Sequence, residues 1–150
     1  MSFPALELSD PKPELLKFYE ENILTWADEE IAESMRSIAR AANMSQNYID
    51  HIIVVKIGPT TVKVANTHEH AKKIEYGIKP HVITTKGGTG GRNSPKALKI
   101  PAKYAGGILA KVNHPGTRPM LIMTKGWEIG LPKFRARAKA ETALFKERNS

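Results

Sequence analysis

Four kinds of side chain in this sequence could carry chemistry: histidines, acids, a glycine-rich run with basic flanks, and clustered lysines and arginines. There are five histidines, and His68-Glu69-His70 places two of them two residues apart. On a helix that spacing turns the rings about 200° apart, and on a strand it sets them on one side. Neither matches the i, i+4 pair of a zinc protease, and no HExxH occurs. A metal site is therefore not expected, and polar residues opening a short helix explain the triplet. Beyond residue 45 the acids are Asp50, Glu69, Glu75, Glu128, Glu141 and Glu147. The last two sit in a basic tail, so a hydrolytic carboxylate pair or a divalent-metal cage is poorly supplied. There is no cysteine, which removes disulfides, thiolate ligands, thiol nucleophiles and iron–sulfur clusters. A G-x-S-x-G nucleophile elbow is missing as well. No catalytic residue and no cofactor are nominated, and the chain does not read as an enzyme.

The run Lys86-Gly87-Gly88-Thr89-Gly90-Gly91-Arg92-Asn93-Ser94-Pro95 holds four glycines in ten residues. A phosphate-binding loop would need G-x-x-x-x-G-K-[ST] opening a helix, whereas Gly91 is followed by Arg92-Asn93-Ser94-Pro95 and a strand pattern. The run reads instead as a mobile hairpin tip, since it has little to bury and much backbone entropy to lose. Its cations, with Lys96 and Lys99 beyond it, could touch a nucleic-acid backbone without reading sequence. The tail cations Lys133, Arg135, Arg137, Lys139, Lys146 and Arg148 have only Phe134 and Phe145 among them, too few aromatics for a stacking platform. A closing helix with outward-facing arginines is the simpler reading.

Positioning these groups requires one domain of ordinary composition. The chain has 150 residues, 41% hydrophobic and 25% charged, within the range of a single globular core. No stretch approaches the roughly 20 apolar residues that span a bilayer. The N-terminus has no base before Lys12 and is broken by Pro4, Glu7 and Asp10, so a secretory signal is not expected. A soluble protein made inside a cell follows, with no membrane partner. The net charge of +8 is unevenly spread, −6 over residues 1–50 and +14 over residues 51–150. Two faces of opposite sign are implied, suited to head-to-tail self-contact or to phosphate on one side and protein on the other.

Residues 1–13 form an N-terminal arm, with Ser9 or Asp10 available to cap the helix that follows. From Glu14 the apolar steps 16–19–23–27–31–35–38–42 are all three or four residues, which predicts an amphipathic helix of about 30 residues. Tyr48–Ile57 and Thr61–Ala65 read as strands about a Gly58-Pro59 turn. A short helix over His68–Tyr76, stopped by Gly77, precedes a strand at Pro80–Thr85. Ala97–Ile100 resumes as a strand, making residues 86–95 the tip of one long hairpin. Gly107–Asn113 is a further strand, His114-Pro115-Gly116 a turn, and Lys133–Arg148 a terminal helix. The predicted fold is α+β: a long N-terminal helix and a C-terminal helix on a mainly antiparallel sheet of about five strands.

Three segments recur in a familiar order. They are Ala71-Lys72-Lys73-Ile74-Glu75-Tyr76-Gly77-Ile78-Lys79-Pro80-His81, then Ala97-Leu98-Lys99-Ile100, then Lys111-Val112-Asn113-His114-Pro115-Gly116-Thr117-Arg118-Pro119. Together they resemble the head–tail joining proteins of long-tailed bacteriophages, the neck, minor tail or tail-completion components. The match covers roughly residues 65–123. It departs at Ile78, where the family favours Thr, and at Met120-Leu121, where it favours an aromatic.

The resemblance implies a non-enzymatic virion protein of the neck or tail, a neck layer, tail-completion factor or tail terminator, assembled in the host cytoplasm. It implies a ring of copies, usually six, stacked between the connector or stopper ring and the tail tube. Its lumen would pass DNA without sequence preference, and a ring needs one patch meeting a different patch on the next copy. Glu75, Tyr76, Gly77, Pro80, His81, His114, Pro115 and Gly116 are then fold and turn residues. Lys86, Gly87, Gly88, Thr89, Gly90, Gly91 and Arg92 are candidates for contact with a neighbouring subunit or ring. Arg92, Lys96 and Lys99 are candidates for facing DNA. The alternative reading is a basic nucleic-acid-binding module using the hairpin and tail on phosphate.

Overall fold

A computed structural model describes residues 1–84, 98–100, 107–109 and 111–150, with the backbone alone at 83–84, 98–100, 107–109 and 111–112. The chain divides into two compact units: unit 1 is Met1–Tyr76 with Met120–Ser150, and unit 2 is Gly77–Pro119. In chain order unit 2 is an insertion within unit 1.

Unit 1 is organised by a helical rod made of α1 (Pro13–Trp26), a π-helical stretch (Ala27–Ala32) and α2 (Glu33–Ala41). Pro13 suits a first turn because the amide it lacks would have been unpaired there. The cap position is Lys12, with no side-chain cap, rather than Ser9 or Asp10. Asp10 contributes one step earlier, accepting from the Lys12 amide at 2.9 Å. At the far end Asn43 takes a positive φ of 56°, the Met44 amide donates to the Ala39 carbonyl at 3.0 Å, and the Asn43 amide donates to Arg40 at 3.0 Å. That is a Schellman closure with asparagine in the left-handed position.

The buried stripe of the rod is Leu15, Tyr19, Ile23, Ala27, Ile31, Met35 and Ala39, with Trp26 beside it. These positions step by four throughout. A pure α-helix would rotate such a stripe by about 40° at every step, carrying its end away from the core. The π-helical stretch bonds i→i+5 and turns less per residue, so it resets that drift midway. The expected face is thus shifted slightly: Leu15 and Ala39 are buried, where Leu16 and Ile38 are only partly so.

The sheet of unit 1 has three antiparallel strands in the order β1-β3-β2: β1 (Leu6–Glu7), β2 (Ile52–Gly58) and β3 (Thr61–Asn66). Ile52, Val62 and Val64 point into the core. The N-terminal arm lies along β3, with Phe3 donating to Val64 and Leu8 to Thr60, both at 3.1 Å. Three helices complete the unit: α3 (Gln46–Asp50), α4 (Ala71–Tyr76) and α5 (Ile122–Arg148).

Unit 2 holds two antiparallel strand pairs, β4 (His81–Thr84) with β7 (Lys111–His114), and β5 (Leu98–Ile100) with β6 (Gly107–Leu109).

The fold is α+β as expected, but several details differ, among them the expected strand Gly107–Asn113, which is two strands, β6 and β7, with different partners. Among the described residues the strands form one three-stranded sheet and two separate pairs, not a sheet of about five. β4 pairs with β7 rather than with the strand after the glycine run. The strand read from Tyr48 begins at Ile52, because Ser45 Oγ accepts from the Tyr48 amide at 3.2 Å and starts a helical turn there. Finally, α5 begins at Ile122, not Lys133. A Cβ on Gly126 would stand 2.5 Å from Met35 Cα, and one on Gly130 would stand 2.6 Å from the Glu30 carbonyl oxygen. The two glycines therefore let α5 press its backbone against the rod, and that packing carries the helix through Pro132.

Candidate functional site

The sequence motifs meet in unit 2 as a backbone cross. Gly77-Ile78-Lys79-Pro80 runs antiparallel to Gly116-Thr117-Arg118-Pro119, two segments of the same form, Gly-x-(Lys/Arg)-Pro. The Ile78 amide donates to the Thr117 carbonyl at 3.0 Å and the Thr117 amide to the Ile78 carbonyl at 2.8 Å. Thr117 Oγ1 also accepts from the Ile78 amide, at 3.1 Å.

Each glycine has positive φ, 74° at Gly77 and 78° at Gly116. A Cβ on Gly77 would lie 2.8 Å from Pro119 N and 3.0 Å from the Arg118 carbonyl carbon. On Gly116 it would lie 2.8 Å from Pro80 N and 3.0 Å from the Lys79 carbonyl carbon. The two halves are thus related by a local two-fold. Each glycine faces a proline nitrogen, which carries no hydrogen and asks for no acceptor. Glycine is required on both counts, conformation and space.

Directly beyond the cross, His81 and His114 are register partners, with rings stacked at 4.8 Å between centroids and 22° between planes. His81 Nδ1 lies 3.0 Å from the Lys79 carbonyl, so it donates there. His114 Nδ1 accepts from the Gly116 amide at 2.9 Å. His81 Nδ1 therefore carries a hydrogen and His114 Nδ1 presents a lone pair, each toward its own turn.

Glu75 has a different task, in unit 1. Its side chain is fully buried and accepts from the Met123 amide at 2.8 Å, the Thr124 amide at 2.7 Å and Thr124 Oγ1 at 2.6 Å. Leu121, the cap position of α5, has φ 51° and offers no side-chain cap. Glu75 supplies that cap from another helix, with its negative charge at the positive end of the α5 dipole. Tyr76, the next residue, is 57% exposed.

The structure thus brings together Gly77, Pro80, His81, His114 and Gly116, with Pro115 exposed on the turn. Lys86 to Arg92 and Lys96 lie outside the described residues, and Lys99 is described by backbone alone in β5. Sequence reading missed the role of Thr117 and the pairing of the two segments. The repeated Gly-x-(Lys/Arg)-Pro was the available signal.

On α5, Arg137 does not simply face outward. It bridges Glu29, and Glu30 at 3.3 Å, on the π-helical stretch, and these carboxylates raise its pKa. On the rod itself Arg40 lies 2.6 Å from Glu33 and holds that carboxyl below its usual range. Among the described residues, no group of three His, Asp or Glu side chains is placed to hold a metal ion. Among them, too, no helix is long and apolar enough to cross a membrane.

Chemically, the cross offers geometry. It holds the first and last four residues of unit 2 against each other. Comparison with family models, with characterised proteins and with solved structures yields no match to this chain.

Proposed function

We propose that this chain is a structural virion protein of the head–tail interface of a tailed phage or phage-like particle, forming a ring through which DNA passes. The observation that carries the reading is the cross. The two outer segments of the head–tail joining resemblance are 39 residues apart in sequence, yet they pair through reciprocal Ile78–Thr117 hydrogen bonds. Motifs that share a purpose in space are better support for a resemblance than motifs that share only an order. The long helical rod and the closing helix also fit the family's expected frame.

In this reading unit 2 is the part that reaches a neighbouring subunit or ring, and unit 1 is the body of the subunit. The partners are further copies of the chain, the connector or stopper ring on one side and the tail tube on the other.

The test is the mass of the full chain by light scattering, alone and then with purified tail tubes or DNA-filled heads. A closed oligomer, formed alone or on one of these particles, is the expected result. A monomer that ignores both particles and binds duplex DNA, with affinity falling steeply as salt rises, would overturn the reading in favour of a nucleic-acid-binding module.

A further inference from the structure

A groove of about 460 Å³ runs along the C-terminal half of α5, within unit 1. Its two walls differ in kind. One is apolar, made by Leu8 of the N-terminal arm and Tyr19 of α1, with Ala138 and Ala143 of α5 also in the lining. The other carries Arg135, Lys139 and Lys146 of α5. At offsets of 4 and 11 residues from Arg135, these cations fall within about 40° of one another around the helix and span about 17 Å along it.

The charge of this wall is unspent. Arg36, Arg40, Lys56 and Arg137 of unit 1 each have a carboxylate within ion-pair distance. Among the described residues none of Arg135, Lys139 and Lys146 has one, and all three are exposed. Three exposed cations without a carboxylate partner among the described residues thus lie in a row beside an apolar trough.

We propose that this groove docks an acidic amphipathic segment of another protein. Such a segment places an apolar strip against Leu8, Tyr19 and Ala138 and a row of carboxylates against the α5 cations, the mode of a helix laid in a groove. Both walls are then used. Duplex DNA presents phosphates but no apolar strip, so it would leave the Leu8–Tyr19 wall in water. Single-stranded nucleic acid would need stacking partners, and the groove has one aromatic, Tyr19. The inference does not depend on the ring reading.

Titration calorimetry on the full chain tests it, with three probes: a synthetic helix bearing Leu and Glu on opposite faces, a scrambled peptide of the same composition, and duplex DNA. The amphipathic helix is expected to bind saturably, and the scrambled peptide at least about tenfold more weakly. Lys139→Glu and Arg135→Glu, both at exposed positions, should each weaken the amphipathic helix about tenfold or more, or about 1.4 kcal/mol. Lys125→Glu makes the same charge change on α5 outside the groove and should weaken it far less.

Equal losses in all three variants would reduce the effect to net charge and overturn the proposal. So would absence of peptide binding, or tighter binding of duplex DNA that Lys139→Glu abolishes. Light scattering supplies the remaining outcome. Self-association lost in Lys139→Glu, without peptide binding, would make the occupant a second copy and overturn the proposal as stated.

Discussion

Gly77→Ala is the sharpest test of the backbone cross. The substitution forces an L side chain into φ 74°, which costs about 1–2 kcal/mol. It also sets a methyl group 2.8 Å from Pro119 N and 3.0 Å from the Arg118 carbonyl carbon, and against the Thr117 carbonyl. These are backbone atoms in a paired segment, so relief requires the segments to part, and overpacking of this kind adds about 1–3 kcal/mol. A cost of about 2–5 kcal/mol to unit 2 follows, and it should appear where the cross is made. Native-state hydrogen exchange reads it directly. Protection of the Ile78 and Thr117 amides should fall together by about 30- to 5000-fold, while amides of the rod, such as Ile23 and Met35, keep theirs. Gly116→Ala should give the same pattern by the local two-fold. Because both variants open one contact, the double variant should cost well below the sum of the two. If Gly77→Ala lowers Thr117 protection by less than about threefold, or lowers rod protection equally, the cross is not the closure described.

Three further outcomes are expected. Glu75→Gln puts an amide NH₂ against a donor at the α5 start and should lower stability by about 1.5–3 kcal/mol in denaturant unfolding. Gly130→Ala should cost about 1–3 kcal/mol by thermal unfolding, since the new methyl meets the Glu30 carbonyl and Ile31 backbone. Tyr48 has a buried hydroxyl with no hydrogen-bond partner among the described residues, and desolvation, with Glu75 nearby, pushes its pKa up to about 12. Its folded pKa lies above the unfolded one near 10, so its contribution is complete below about pH 10 and is lost as pH rises toward 12. Tyr48→Phe should remove that alkaline decline in stability measured against pH and cost little or nothing at neutral pH.

The long rod was legible because its apolar steps of three and four persist over many turns. Gly77 and His114-Pro115-Gly116 were legible as a stop and a turn because glycine and proline act locally. The start of α5 was not. Gly126, Gly130 and Pro132 have low helix propensity, and the rod's backbone that lies against the two glycines leaves no local signal. Tyr48-Ile49 looked like strand because Ser45 caps a turn too short to show a period. The β4–β7 pairing was hidden for another reason. Strand partners are chosen by closure across intervening chain, and the glycine run suggested a nearer partner for β4. The candidate site was half visible in the same way, as two turn motifs whose contact with each other no local rule predicts. Within unit 1 the acidic first third meets the basic remainder directly, Arg137 of α5 pairing with Glu29 and Glu30 on the rod.

The crossing of Gly77–Pro80 with Gly116–Pro119 has a consequence for tolerance of change. A loop's ends cost entropy to bring together, and here the closure is made at the root by backbone hydrogen bonds that involve nothing between His81 and His114. Lengthening the enclosed segment then adds only about 0.6 kcal/mol for each doubling. Such a root is a graft point: the span beyond it is free to be exchanged for a longer, shorter or foreign sequence while unit 1 keeps its own core.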